Sequence, residues 1–426
     1  MDSMRHRLSL LRRCSWPAAI VVAVTGCDLG SLLDVTDPSR LLADAVETVE
    51  FAPALVDGAQ SNFECAFGAH VAGMAMFTDE FQDHSFNGPY WSMDRREARG
   101  ADEWSANDCP SASPSPYVGA SRARWASDNV LKLLSKASEA EVPGKLRLEA
   151  RAHLYSGFSL YILGADYCST TIDVGPELST TQAFGLAEGH FVKALTLAQG
   201  TGQSEIVNAA RVGLARMALF LGKKTEALGY AKDVPVGFVY NANYSDAALG
   251  TRNPIYNINI FTTAHGPSEW MRELKTAGVP DPRTASRKSN QLGGDRGEFV
   301  WFQEKYVSFT APIPVARWAE AQLIIAELEG GQVAVNIINT LRDRVKLPRF
   351  ASTNEVEIKA TVVDERMKEL WLEGFRAYDI RRLNLPLVPA SGTPYQVLLK
   401  GGAFGDARCL PLPHTETNNN PNFKKS

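Results

Sequence analysis

A chain of 426 residues, 45% hydrophobic and 22% charged, has enough apolar material for a large core and is too apolar to stay disordered. Its formal net charge of −4 argues against the dense basic surface that nucleic-acid binding requires. Six Cys and seven His form no C-x-x-C pair, no Cys/His cluster and no H-E-x-x-H pattern, so neither a metal nor a cofactor is expected.

The first 26 residues read as a targeting segment. Arg5, Arg7, Arg12 and Arg13 make a positive start, and Ala18 to Val24 is an apolar run too short to span a bilayer. Val24-Thr25-Gly26-Cys27 resembles a bacterial lipobox, in which the Cys is lipidated and becomes the mature N-terminus. Acyl chains on Cys27 bury enough methylenes for stable anchoring. Residues 1–26 are then a lipoprotein signal peptide and residues 27–426 a single domain. Removing the signal takes away four Arg and one Asp, leaving 40 basic against 47 acidic residues. An ordinary secretory signal is the alternative. Asp28 leaves open which leaflet or face the anchor ends on.

Beyond Cys14 and Cys27, the cysteines are Cys65, Cys109, Cys168 and Cys409. In an exported protein they permit two disulfides. Cys65 and Cys109 flank one long polar insertion, which favours joining them and leaves Cys168 for Cys409. Free buried thiols are the other reading.

In chain order, Ser39 to Phe67 reads as helix, with Leu41, Leu42, Val46 and Val49 on one face and Pro53 breaking or restarting it. Ala69 to Phe77 continues apolar. From Phe81 to Tyr117 no period holds, and the Pro/Ser run Cys109 to Pro116 closes what reads as a long surface loop. Trp125, Val130, Leu133 and Leu134 then mark a helix. Leu146 to Leu163 and Ala183 to Ala198 make two more. Val207 to Val234 reads as helix, a Gly222-Lys223-Lys224 turn, then helix, with Ala210, Ala215, Ala218, Ala227 and Ala231 at small positions. This resembles a tetratricopeptide repeat. Pro235 to Phe309 is a second irregular insertion, with strand-like alternation at Phe299 to Val307. Val315 to Arg344 repeats the helical pair around Gly330-Gly331. After Arg382 the chain is irregular again.

The stretch Asp364 to Arg382 reads D-E-R-M-K-E-L-W-L-E-G-F-R-A-Y-D-I-R-R. Val363, Met367, Leu370, Trp371, Phe375 and Tyr378 trace one helical face. Glu365, Glu369 and Glu373 form a carboxylate column, which Arg366, Arg376 and Arg382 are spaced to offset. Gly374 costs helix stability and suggests a spot where another backbone approaches closely. This stretch resembles the C-terminal signature of SusD/RagB-like proteins, lipid-anchored nutrient-binding proteins of the bacterial outer membrane. The likeness extends to I-P-V-A-R-W-A-E-A-Q-L-I-I-A-E at Ile313 to Glu327 and to L-P-L-P-H-T-E-T-N-N-N-P at Leu410 to Pro421. It implies a mainly α fold built on tetratricopeptide-like helical pairs, with minor β and long loop insertions. The scaffold would cover about residues 39–77, 118–234 and 313–382, with insertions at about 78–117 and 235–310 and an irregular tail at 383–426.

No nucleophile motif or phosphate-binding glycine loop is present, so no catalytic residue is expected. Paired carboxylates are the best argument for a glycan-processing enzyme. But Asp79 and Glu80 are neighbours whose side chains point apart, and the Glu column reads as an ion-pair network on a packed helix. Aromatics beside polar side chains suit the apolar faces and hydroxyls of sugar rings. Tyr90, Trp91, Asp94, Arg95, Trp104, Asn107 and Trp270 are therefore the candidate ligand-binding residues, each with the alternative of anchoring its own loop. Trp125, Trp318 and Trp371 sit at core spacing, and Trp301 belongs to the strand-like edge. The resemblance implies capture of an oligosaccharide, or another nutrient polymer fragment, and delivery to a SusC-like TonB-dependent transporter at the outer-membrane surface. A membrane-anchored protein-binding scaffold of helical repeats is the rival.

Overall fold

Pro53 starts a helix rather than breaking one. A helix's first turn leaves N–H groups without partners anyway, so the missing proline N–H costs nothing there. In the computed structural model, which describes residues 48–102, 115–295, 297–395 and 400–423, helix α1 runs unbroken over Ala52–Phe77. Its second half is buried throughout. The part of the first expected helix before residue 48, like the signal and Cys27, lies outside the described residues.

The stretch expected as one long surface loop is built instead. It begins with strand β1 (Phe81–Asp83) and helix α2 (Gly88–Asp94), with Asp83, His84, Met93 and Asp94 buried. Its polarity misled because these polar groups bond to one another inside the protein.

The scaffold follows as α3 (Pro116–Leu134), α4 (Lys145–Asp166), a small ribbon of β2 (Ser169–Thr170) and β3 (Leu178–Ser179), then α5 (Thr180–Gly200), α6 (Ser204–Phe220) and α7 (Lys224–Lys232). Ser179 and Gln182 make a reciprocal capping box at the start of α5. Small residues fix the packing distance: a Cβ at Gly157 of α4 or Gly213 of α6 would lie 2.8 Å from the Phe191 ring of α5. Trp125 departs from expectation. The buried face of α3 is carried by Tyr117, Ala120, Ala123, Ser127, Val130 and Leu134, and Trp125 falls beside it, 51% exposed. Trp318 and Trp371 are buried as expected.

β4 (Val239–Ala242) pairs antiparallel with β10 (Ile313–Arg317), so Val315 to Arg317 are strand, not the start of a helix. Between them the second insertion holds β5 (His265–Pro267), which pairs with β1 in the register Phe81↔Pro267. It also holds the small ribbon β6 (Lys275–Thr276) and β7 (Val279–Pro280), and β8 (Ser286–Leu292) paired with β9 (Phe299–Gln303), where Trp301 lies opposite Lys288.

Helices α8 (Trp318–Glu329), α9 (Gly331–Arg344), α10 (Glu355–Glu369), α11 (Arg376–Arg382) and α12 (His414–Asn419) complete the chain. The signature stretch is thus two helices. α10 ends at Glu369, and the turn takes positive φ at Leu372 (55°) and Gly374 (82°). A Cβ at Gly374 would lie 2.2 Å from Nε2 of buried His70, so a side chain, not a backbone, makes the close approach.

The helix break also redistributes the charges. Glu365 is held by Arg283 and Arg342, Glu369 by Arg317 and Arg283, and Glu373 by Lys305 and Arg317. Arg366 bonds Asp379 and Arg376 bonds Asp79, not the Glu369 and Glu373 three residues away, whereas Arg382 bonds Asp379 as its spacing suggested, and Glu327 besides. The network joins α10 and α11 to distant segments, the role expected of the Glu column.

Cys168 and Cys409 form a disulfide across 241 residues of sequence. Cys65 is disulfide-bonded too, and its expected partner Cys109 lies outside the described residues. The described residues belong to one unit, Glu47–Ser426, and none of their helices is long and apolar enough to cross a membrane.

Candidate glycan-binding groove

A groove of about 890 Å³ opens where β1, α2, the β5 loop and the C-terminal segment meet. Trp270, Phe404 and Pro394 give it apolar surface, with Tyr395 and Pro389 buried behind them, and Gln82, Asp94, Arg272 and Glu298 give it hydrogen-bonding groups. That volume and mixture suit a ligand several rings long. A second cavity of about 480 Å³ lies on the helical side, lined by Arg147, Arg151, Gln203 and Asn241. Its tyrosines, Tyr155 and Tyr240, are 2% and 7% exposed and offer no open ring face, so it is the weaker candidate for a sugar.

The lining is assembled by the end of α2. Arg95 donates from Nη1 to Gly401 O (2.6 Å), and its own carbonyl accepts from Gly405 N (2.7 Å). Arg96, at φ 57°, donates from Nε to Gly405 O (3.1 Å) and from Nη2 to Pro389 O. Their guanidinium groups stack on Tyr395 and Phe404 respectively. Two adjacent arginines thus fasten the segment that carries Tyr395 and Phe404 into the groove, and burial depresses the Arg96 pKa.

Charges beneath the groove are paired. Lys400, fully buried, bonds Asp83 at 2.8 Å and Asp295 at 2.9 Å, and His265 Nδ1 lies 3.0 Å from Asp83. Burial alone would raise the Asp83 pKa, but His265 and Lys400 outweigh it and hold the carboxyl below its ordinary value. Asp94 accepts from Asp83 N (2.9 Å) and the Tyr395 hydroxyl (2.5 Å), yet burial pushes its pKa up to about 7. Burial likewise pushes the His84 pKa down to about 4. At the mouth, Arg272 grips Glu298 with both Nη atoms (3.2 and 3.3 Å) and Gln82 donates to the same carboxylate.

Two of the seven candidate ligand-binding residues, Asp94 and Trp270, line this groove. Trp270 is 39% exposed and offers a ring to a ligand. Trp91 donates from Nε1 to Ser85 O (2.8 Å) and carries Lys400 Nζ 5.5 Å from its ring, so it secures its own loop. Tyr90 meets His265 edge-on at 5.0 Å and packs on the core. Arg95 acts through the backbone it holds. Trp104 and Asn107 lie outside the described residues. Sequence reasoning missed Gln82, Glu298, Tyr395 and Phe404. The one available signal was the aromatic, proline-rich run that follows the signature.

Neither candidate carboxylate pair is free for catalysis. Asp79 is gripped by Arg376 at 2.6 and 2.7 Å, whereas Glu80 turns inward to accept from Leu372 N at 2.9 Å. Among the described residues no group of three or more His, Cys, Asp or Glu is placed to hold a metal ion.

Residues 304–425 match the family model of the SusD family, SusD/RagB. The fold agrees across most of the chain. A SusD superfamily protein from Bacteroides thetaiotaomicron superposes with a TM-score of 0.65 at 15% identity, covering 88% of this chain and 99% of its own. The chain has the fold of these SusD-like structures, and its C-terminal part is similar to the SusD family. A SusD-like carbohydrate binding protein from Bacteroides vulgatus gives a TM-score of 0.59 at 16% identity, covering 87% of this chain and 94% of its own. A laminarin binding SusD-like protein gives 0.60 at 14%, covering 86% and 98%. No curated protein matches the sequence.

Proposed function

We propose that this protein captures an oligosaccharide in the groove around Trp270 and delivers it, chemically unaltered, to a SusC-like TonB-dependent transporter. The observation that carries the reading is the groove itself: about 890 Å³, with an exposed Trp270 among side chains that hydrogen-bond hydroxyls. Proteins of the same fold whose names specify carbohydrate or laminarin binding support the ligand class. The ion pairs that hold Asp79, Glu369 and Glu373 support binding without hydrolysis.

The Val24-Thr25-Gly26-Cys27 sequence supports a lipid anchor at Cys27, and with it an outer-membrane location. An anchor confines the protein beside its transporter and raises the effective concentration, so modest affinity suffices and rapid release favours handover.

A glycan array probed with the chain carrying Cys27→Ala tests the ligand class. Oligosaccharide binding is expected, and binding of peptides with no sugar bound overturns it. Incorporation of radiolabelled palmitate into the wild-type chain, lost in the Cys27→Ala variant, tests the anchor. Equal labelling of both chains excludes it.

A further inference from the structure

Charge in the groove is one-sided. Among the described residues its lining includes four carboxyl-bearing side chains, Asp79, Asp94, Glu269 and Glu298, and one guanidinium, Arg272. That guanidinium is fully engaged: Nε donates to Pro267 O at 2.9 Å, both Nη atoms hold Glu298, and the group stacks on Trp301 at 5.4 Å. The nearest other described cations are engaged too. Lys400 sits buried between two carboxylates, Arg376 grips Asp79, and Arg95 bonds Gly401 O and Glu97. Glu269 and Glu298 stand exposed at the mouth beside Trp270.

We infer that the groove sorts glycans by charge, admitting uncharged and amine-bearing oligosaccharides and rejecting those with uronate or sulfate groups, with Glu269 and Glu298 setting the preference. The inference rests on the glycan-binding reading above. Sugar hydroxyls donate to carboxylates in short charge-assisted bonds, so an uncharged ring satisfies Glu269 and Glu298 while its apolar face covers Trp270. An acidic ring brings a like charge into the same space. To find a partner it must pull a guanidinium from an existing pair and leave the old partner exposed to repulsion.

The test uses the purified full chain in detergent and calorimetry with gluco-, manno- and galacto-oligosaccharides of matched length, each beside its C6-oxidised uronate form. For any sugar that binds, the uronate is expected to bind roughly tenfold more weakly or worse, with the gap narrowing as salt screens the repulsion. In the Glu269→Gln/Glu298→Gln variant the ratio of neutral to uronate affinity falls toward one, with thermal melting confirming the fold. A uronate that matches or outbinds its neutral parent sinks the charge rule and leaves glycan capture standing. A wild-type gap unmoved by both salt and the double variant also overturns it. If no member of either series binds, glycan capture itself fails and the inference falls with it.

Discussion

Trp270 and Trp91 provide a contrast that separates a ligand-facing ring from one that holds a loop. Trp270 leaves 39% of its surface open at the groove. On a side chain that buries roughly 150–250 Å², that leaves on the order of 60–100 Å² for a sugar face to cover. At ~25 cal/mol per Å², full coverage contributes about 1.5–2.5 kcal/mol. Trp270→Ala should therefore raise Kd roughly ten- to seventyfold for whichever oligosaccharide binds. Stability should fall far less than for Trp91→Ala, which removes the 2.8 Å bond to Ser85, the ring under Lys400 and the edge contact with Phe86. For Trp91→Ala the expected loss is about 2–3 kcal/mol, with affinity reduced only through loosening of the groove. Isothermal calorimetry and guanidinium unfolding on both variants give the four numbers. If Trp91→Ala costs more affinity than Trp270→Ala while melting unchanged, the assignment of the two rings is reversed.

Gly374→Ala adds a Cβ 2.2 Å from His70, at a φ of 82°, and must displace a buried ring that bonds Asp166 at 2.8 Å. It should cost about 3–5 kcal/mol in guanidinium unfolding, and a loss under about 1 kcal/mol refutes the contact. Glu80 is pushed by burial from 4.5 up to about 7, so the folded state keeps its proton to higher pH than the unfolded state does. Its contribution to stability therefore declines as pH rises from about 4.5 to about 7 and stays reduced above. Glu80→Gln keeps an acceptor for Leu372 N–H, so it should gain a few kcal/mol over wild type at pH 8 and nothing below about pH 4.5. A difference that does not vary with pH contradicts the burial argument. Replacing Cys168 and Cys409 together by Ala should lower unfolding stability by about 2–5 kcal/mol, and an unchanged denaturant midpoint would show that the bridge constrains nothing.

Periodicity carried the helical scaffold because it is local information. The small positions Ala210, Ala215, Ala218, Ala227 and Ala231 are buried in α6 and α7, which pack through them as the spacing implies. The break between α10 and α11 was hidden because Leu372 takes a positive φ at no cost the composition reveals. The groove was harder still. Tyr395 reaches Asp94 across 301 residues and Arg95 reaches Gly401 across 306, and no window along the chain joins them. Trp270 stood out because an aromatic between Glu269 and Arg272 in an irregular stretch has little local reason to be there. Tyr90 and Trp91 looked the same in sequence. Only their buried partners, His265 and Ser85, distinguish anchoring from display.

The signature and the groove are mechanically one object. Glu80 and Asp79 immediately precede β1, and both are bonded by the signature turn: Leu372 N–H to the first and Arg376 to the second. Asp83, three residues past Glu80, holds Lys400 and hence the C-terminal segment that brings Tyr395 and Phe404 to the lining. Lys305 and Arg317 tie Glu373, in the same turn, to the C-terminal end of the second insertion, which carries Trp270. The three segments that supply the lining therefore share one buried set of charges. Each of those charges needs its partner, because an ion left unpaired in this interior costs about 3–5 kcal/mol. That mutual dependence gives loops with little regular structure a fixed position, which is what the proposed capture of a sugar by weak stacking and a few hydrogen bonds requires.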